Sequence, residues 1–300
     1  MISVEPTALD VVPDVLAECT GGVEEAGPRR WNFLLDAAAN LEGTAWLTPD
    51  WLCLELRLAG LKPRLPVFPL LERHAGLPGN VKFVLVPGER FVRVRAEIPV
   101  EGELDITPRI RDACLGFCGA ALLLTGRRNA AEFLARHEPT PPAAPAPVGL
   151  ESLCRDAGFP CTPRSAACVT VEFEAPGQYW QALLESDGHG VRARVELLSG
   201  QALSPAYRKA LGLFLLTVNG AVRMARAVAA RRDGRAGAHL EVCFGAPPTA
   251  AEIRHALAAV CAAARLCARE SRVLQDQAIA REYLLRREGG LAGRTRGSVQ

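Results

Sequence analysis

Short runs in which apolar and polar residues alternate occupy most of this chain, and a helical spacing takes over only near its end. Trp51-Leu52-Cys53-Leu54-Glu55-Leu56 and Cys168-Val169-Thr170-Val171-Glu172-Phe173 place apolar side chains at every second position, the period of a half-buried strand. Val92-Arg93-Val94-Arg95-Ala96-Glu97-Ile98 has the same period and returns as Val191-Arg192-Ala193-Arg194-Val195-Glu196-Leu197. Each copy is preceded by a glycine-containing turn, Pro87-Gly88-Glu89 or Asp187-Gly188-His189-Gly190, which predicts a hairpin. Thr107-Pro108 and Ser204-Pro205 then open helices, with a hydroxyl at the cap and proline at the first helical position. Short helices ending at Ala39-Asn40-Leu41 and Ala157-Gly158-Phe159 come before the first strands. The repeated unit therefore reads helix, antiparallel three-stranded meander, helix, in an α+β fold.

The second copy runs on. Asn219-Gly220 marks a helix stop, and Val222–Val228 reads either as a further strand or as continued helix to Arg231. Ala238–Phe244 is the next strand, and Thr249-Ala250-Ala251-Glu252 is a capping box. Ile253, Leu257, Val260, Ala264, Cys267, Ser271 and Leu274 mark one face of the long helix that follows. The first copy lacks that ending and carries an insert, residues 59–80. These features divide the chain into an N-terminal extension (1–27), a first, incomplete repeat (28–137), a proline-rich linker (138–148), a second, complete repeat (149–288) and a glycine-rich disordered tail (289–300). Within the insert, Leu65, Val67, Phe68, Leu70 and Leu71 are expected to cover the sheet of their own repeat. Docking on a neighbour is the alternative.

The element order of the second copy resembles the type III secretion chaperone-like fold, which includes CesT-type chaperones and YbjN-like proteins. The likeness is carried by the Val-Arg-Ala-Arg-Val-Glu-Leu strand, the Leu- and Phe-rich helix after Ser204-Pro205, and the capped helix from Thr249 with its Ala264-Arg265-Leu266-Cys267-Ala268-Arg269-Glu270 stretch. The first copy resembles only the first half of that fold. What the resemblance implies is a non-enzymatic module that binds a partner polypeptide, with the tandem copies acting as an internal pseudo-dimer or the chain forming a homodimer.

Composition narrows the classes further. At 49% hydrophobic and 23% charged, the chain is that of a folded protein, and a formal charge of +2 gives no electrostatic case for nucleic acid or a membrane surface. No apolar run is long enough to span a bilayer, and Met1-Ile2-Ser3-Val4-Glu5 opens no signal peptide, so a cytoplasmic location is expected. The ten cysteines include no Cys-x-x-Cys and read as small buried hydrophobes. Cys114 and Cys118, one helical turn apart, align with leucines of the second copy. Glu252-x-x-His255 has a metal-site spacing with no companion ligands. No catalytic residue, cofactor or metal follows from any motif. The candidate partner-binding residues are Leu65, Val67, Phe68, Leu70 and Leu71 of the insert and the outward Arg93, Arg95, Arg192 and Arg194, for which cross-strand charge pairing with outward glutamates such as Glu97 is the favoured account. The rival reading is an enzyme with its site between the repeats, using a cysteine such as Cys168 or Cys243.

Overall fold

Twelve strands, all paired antiparallel, divide into two six-stranded sheets in a computed structural model that describes residues 8–36, 41–56, 67–86, 92–101, 105–125, 149–175, 178–186, 190–201, 203–232, 235–245 and 247–293. The first sheet holds β1 (Val23–Gly27), β2 (Arg30–Asp36), β3 (Leu41–Leu47), β4 (Trp51–Leu56), β5 (Lys82–Leu85) and β6 (Val92–Pro99), in the order β1-β2-β3-β4-β6-β5. The second holds β7 (Thr162–Ser165), β8 (Cys168–Ala175), β9 (Gln178–Ser186), β10 (Val191–Gln201), β11 (Arg226–Arg232) and β12 (Arg235–Phe244), in the order β7-β8-β9-β10-β12-β11. In both, four strands run as a meander, and the last two form a hairpin that turns back so that its second strand joins the fourth.

The helices repeat the same symmetry. The first unit has α1 (Ala8–Cys19) before its meander, α2 (Val67–Glu72) before its hairpin and α3 (Thr107–Thr125) after it. The second has α4 (Leu150–Asp156), α5 (Pro205–Ala221) and α6 (Ala250–Val273) at the same three places, and adds α7 (Gln277–Gly293). Ser204 caps α5 by accepting from the Tyr207 N–H, and the Thr249–Glu252 capping box starts α6. Buried apolar residues from both units form one continuous core.

The α+β class, the duplication, the second unit's strand pair after α5 and its long final helix are as the sequence reads, but each meander has four strands where three are expected, and the first unit has a strand pair of its own. Residues 226–232 are strand and α5 stops at Ala221. The internal alignment is different. Topology equates β4 with β10 and β6 with β12, whereas the matching strings placed β6 over β10. Both strings are interior strands with aliphatic residues on the core face and Arg/Glu pairs on the other, so one environment selected similar letters at inequivalent places. The first unit is consequently complete, and β4 pairs with β6 rather than with β5.

Four further readings change. The stretch expected to be a helix ending at Leu41 contains β2 instead, where Trp31 and Phe33 alternate into the core. Phe33 lies across from Gly43 of β3, where a Cβ would meet its ring. Residues 8–27, set apart as an extension, are α1 and β1, with Val12, Val15 and Leu16 in the core. α7 reaches Gly293, into the region expected as a disordered tail. Segment 59–80 is no insert: its described part is the first unit's middle helix, cut from the seventeen residues of α5 to six.

That short helix covers the opposite unit. α2 packs on α5 and on β11 of the second sheet, with Phe68, Leu70 and Leu71 no more than 2% exposed. Gly212 of α5 opens the space, since a Cβ there would stand 2.9 Å from Val67 Cγ1. Reciprocally, α5 lies on β5 of the first sheet, with Gly220 against Val84. Leu65 and the linker 138–148 lie outside the described residues. Phe68→Ala should cost about 3–5 kcal/mol, the range for truncating a buried phenylalanine. Urea denaturation followed by circular dichroism measures it, and a loss below about 1 kcal/mol would show that α2 contributes little to the seam.

Candidate functional site

The two sheets meet where β5 and β11, their inner edges, come together. An edge strand points alternate N–H and C=O groups away from its sheet, and buried groups of that kind need partners. Two side chains supply them in a closed ring. Phe83 N–H donates to His74 Nε2 (2.8 Å), and His74 Nδ1 donates to Ala227 O (2.6 Å). Ala227 N–H donates to Asn219 Oδ1 (2.8 Å), and Asn219 Nδ2 donates to Phe83 O (2.9 Å). Because an amide N–H can only donate, Nε2 must accept, which fixes His74 as the neutral Nδ1–H tautomer. Complete burial, with the nearby Arg226 and Lys82 charges adding to it, pulls its pKa down to about 3.

Beside the ring sit two buried ion pairs with crossed loyalties. Lys82 Nζ is 2.9 Å from Glu97 Oε2 of its own sheet, and it donates to Val222 O and Ala225 O of the other unit at 2.7 and 3.1 Å. Arg226 pairs with Glu241 of its own sheet at 3.0 Å and donates to Leu77 O and Val81 O of the first unit at 2.5 and 3.2 Å. Each cation starts its strand two residues after one held at positive φ, Asn80 (53°) before Lys82 and Met224 (59°) before Arg226. Those two residues also cross the seam: Asn80 Oδ1 accepts from Cys243 N–H, and Met224 N–H donates to Glu97. Burial raises the Glu241 carboxyl, but Arg226, then His239 and Arg192, more than offset it and hold the group well below the usual carboxylate range. Burial lowers the Lys82 ammonium against the opposing pull of Glu97.

Outside this pair of rows the seam is sealed by Arg109–Glu252, a two-pronged bridge with distances of 2.6 and 3.1 Å, and by Arg254 and His255 on Glu101. A small cavity between Arg109, Asp112, Met224, Cys243 and Glu252 measures about 20 Å³, a volume that suits a water molecule. Burial also raises the thiol pKa values of Cys243 and Cys168, the opposite of what a nucleophile requires. Cys114 is hydrogen-bonded to Cys19 of α1, a pairing that no linear spacing discloses.

The outward arginines are engaged on their own sheets. Arg93 and Arg95 each reach Glu55 at 2.6 Å, and Arg194 reaches Glu185 at 3.3 Å. Arg192 lies 3.7 Å from the buried Glu241. Glu97, two residues on from Arg95 and on the same strand face, is buried with Lys82. Among the described residues no group of His, Cys, Asp and Glu has metal-site geometry, and no helix is long and apolar enough to cross a membrane.

A different surface is open. α7 begins at Asp276, whose Oδ1 accepts from Ala278 N–H (2.7 Å), and folds back on α5 with Ala280 buried. Between α5, α6 and α7 lies a groove of about 240 Å³ lined by Phe214, Val273, Leu274, Ile279 and Tyr283, with Glu270, Glu282 and Arg286 at its border. Val273 and Ile279 are 42% and 40% exposed there. No protein family, curated protein or solved structure matches the chain.

Two measurements test the junction. Lys82→Met should cost about 3–5 kcal/mol by leaving Glu97 buried without its charge partner, and adding Glu97→Leu should recover most of that loss. Equal instability of the single and double variants would show that the pair is not coupled. For His74 the folded pKa (about 3) lies below the ordinary histidine value of 6.5, so the unfolded chain binds the extra proton as pH falls. Stability is complete above pH 6.5 and declines below it, by about 2–3 kcal/mol between pH 6.5 and 4.5. Glu241 adds its own loss only at lower pH. Urea titrations at pH 7 and 4.5 should show His74→Gln with a clearly smaller decline than the wild-type chain.

Proposed function

We propose that this chain is a non-enzymatic polypeptide-binding module, of the type III secretion chaperone-like and YbjN-like kind, that works in the cytoplasm as an internal pseudo-dimer. The observation that carries the reading is the groove of Phe214, Val273, Leu274, Ile279 and Tyr283, which is apolar, open and bordered by a few charges. Such a groove accepts the apolar face of one amphipathic helix, anchored at helical spacing, and its exposed aliphatic residues mark an interaction surface rather than a core. Two further features support it. Both units carry helix, four strands, helix, two strands, helix, which is the order of the resembled fold (helix, three strands, helix, two strands, helix) with one strand added to the meander. The junction between them is tied by the His74–Asn219 ring and by Lys82 and Arg226, each bonding across it, which makes a stiff platform.

Helix α2 and the arginine faces play other parts in this reading. Val67, Phe68, Leu70 and Leu71 close the seam, and Arg93, Arg95 and Arg194 keep the sheet faces wet through paired charges. Partner contact falls instead to the helical side of the second unit.

A photo-crosslinking residue at position 279 tests the proposal in the full chain, with Val273→Asp/Tyr283→Asp as the disrupted groove. The expected result is one dominant crosslinked polypeptide, reduced at least about tenfold by the double substitution, the effect of burying a charge against an apolar anchor. Crosslinking that is unchanged by the double substitution, or turnover of a small molecule without any captured polypeptide, would overturn it.

A further inference from the structure

We propose that Cys19 and Cys114 form an oxidisable dithiol that reacts with small hydroperoxides and closes a disulfide between α1 and α3. The proposal is independent of the groove, which lies on the other unit. α1 packs along α3 through the buried face that contains Val12, Val15 and Leu16, and this packing brings the last residue of α1 to the middle of α3. There Glu18 of α1 meets Arg111 of α3, which sets Cys19, the next residue, beside Cys114, one turn further along α3, and the two thiols are neighbours. Their exposures differ. Cys19 is partly open to solvent, and Cys114 is buried, so a reagent from water meets Cys19 first. Arg111, one turn before Cys114 on α3, pairs with Glu18 at 2.7 Å and places its guanidinium beside the Cys19 sulfur.

The electrostatics agree with that order of events. The hydrogen bond from Cys114 is the largest influence on Cys19 and, with help from Arg111 against burial and Glu18, brings its pKa down to about 7. The same bond and burial push Cys114 far up, so it remains a thiol. Elsewhere burial takes Cys267 up to about 12 and Cys261 up to about 11. One thiol is thus poised to attack and its neighbour is poised to give a proton.

The chemistry balances in two steps. The Cys19 thiolate attacks the terminal oxygen of a hydroperoxide; an S–O bond forms, the O–O bond breaks, and the departing alkoxide takes a proton to leave as alcohol or water. Cys19 is then a sulfenic acid. Cys114 sulfur attacks the Cys19 sulfur; the S–S bond forms, the S–O bond breaks, and hydroxide leaves with the Cys114 proton as water. Two electrons pass from the two thiols to the peroxide oxygens. A dithiol reductant reverses the state by exchange. The product is a covalent staple between the two helices on the core face of the first sheet.

The test uses the full chain and hydrogen peroxide. After limited oxidation, free thiols are blocked under denaturing conditions and peptides are mapped without reduction. The expected outcome is a Cys19–Cys114 linked peptide as the first product, and in Cys114→Ser a dimedone adduct on Cys19. Native alkylation at pH 7 should modify Cys19 at least about tenfold faster than Cys168, which follows from their thiolate fractions. The wild-type mapping stands even where a variant folds poorly. First oxidation at another cysteine, a Cys114–Cys118 product, or equal alkylation of Cys19 and Cys168 would overturn the proposal.

Discussion

The constraint on which this molecule depends is the burial of two strand edges. β5 and β11 turn backbone donors and acceptors toward each other across the seam, at a separation bridged by side chains rather than by a ladder, and unpartnered groups there would each cost about 1–3 kcal/mol. His74 and Asn219 meet that demand, each spanning from one strand to the other. Once the edges are fixed, the rest follows. Lys82 and Arg226 must reach over to the opposite loops, α2 and α5 must each cover the other unit, and Gly212 and Gly220 must leave room for them.

The polar and apolar parts of the seam do different work. A buried ion pair roughly breaks even against a hydrophobic replacement of the same shape, so Lys82–Glu97 and Arg226–Glu241 set register more than they add stability. The stabilising contribution comes from apolar area, about 25 cal/mol per Å² buried, from Phe68, Leu70, Leu71 and their neighbours. The thiol pair and the apolar groove both lie away from this seam. The Cys19–Cys114 thiols lie between helices of the first unit, and the apolar groove lies on the helices of the second.

Periodicity made the central strands, the capped helices and the α+β class legible, because alternation and capping act locally on neighbouring residues. β1 escaped because Val23-Glu24-Glu25-Ala26-Gly27 is an exposed edge with no buried stripe. β3 escaped because Gly43 stands at a core-facing position where Phe33 from the next strand fills the space. The true correspondence of the halves was hidden for a chemical reason. His74 and Asn219 serve the same bonds, as do Lys82 and Arg226, and Phe83 stands where Ala227 does, so equivalence of role left no shared letters. The strongest identity in the chain, by contrast, joined two strands that share an environment but not a place. The thiol pair is joined only by tertiary packing, as residues 19 and 114 have no relation along the sequence.

The ring at the seam has one more property. Each bridging side chain accepts from the N–H of its own unit's strand and donates to the C=O of the other's. That rule is unchanged when the units are exchanged, so it would be satisfied equally by two identical halves facing each other. It is the bonding rule of a symmetric dimer, met within a single chain. Covalent union removes the requirement that both halves stay alike. The differences the halves carry, a middle helix reduced to a plug on one side and a terminal helix added on the other, are changes that a dimer of identical subunits would have had to accept twice.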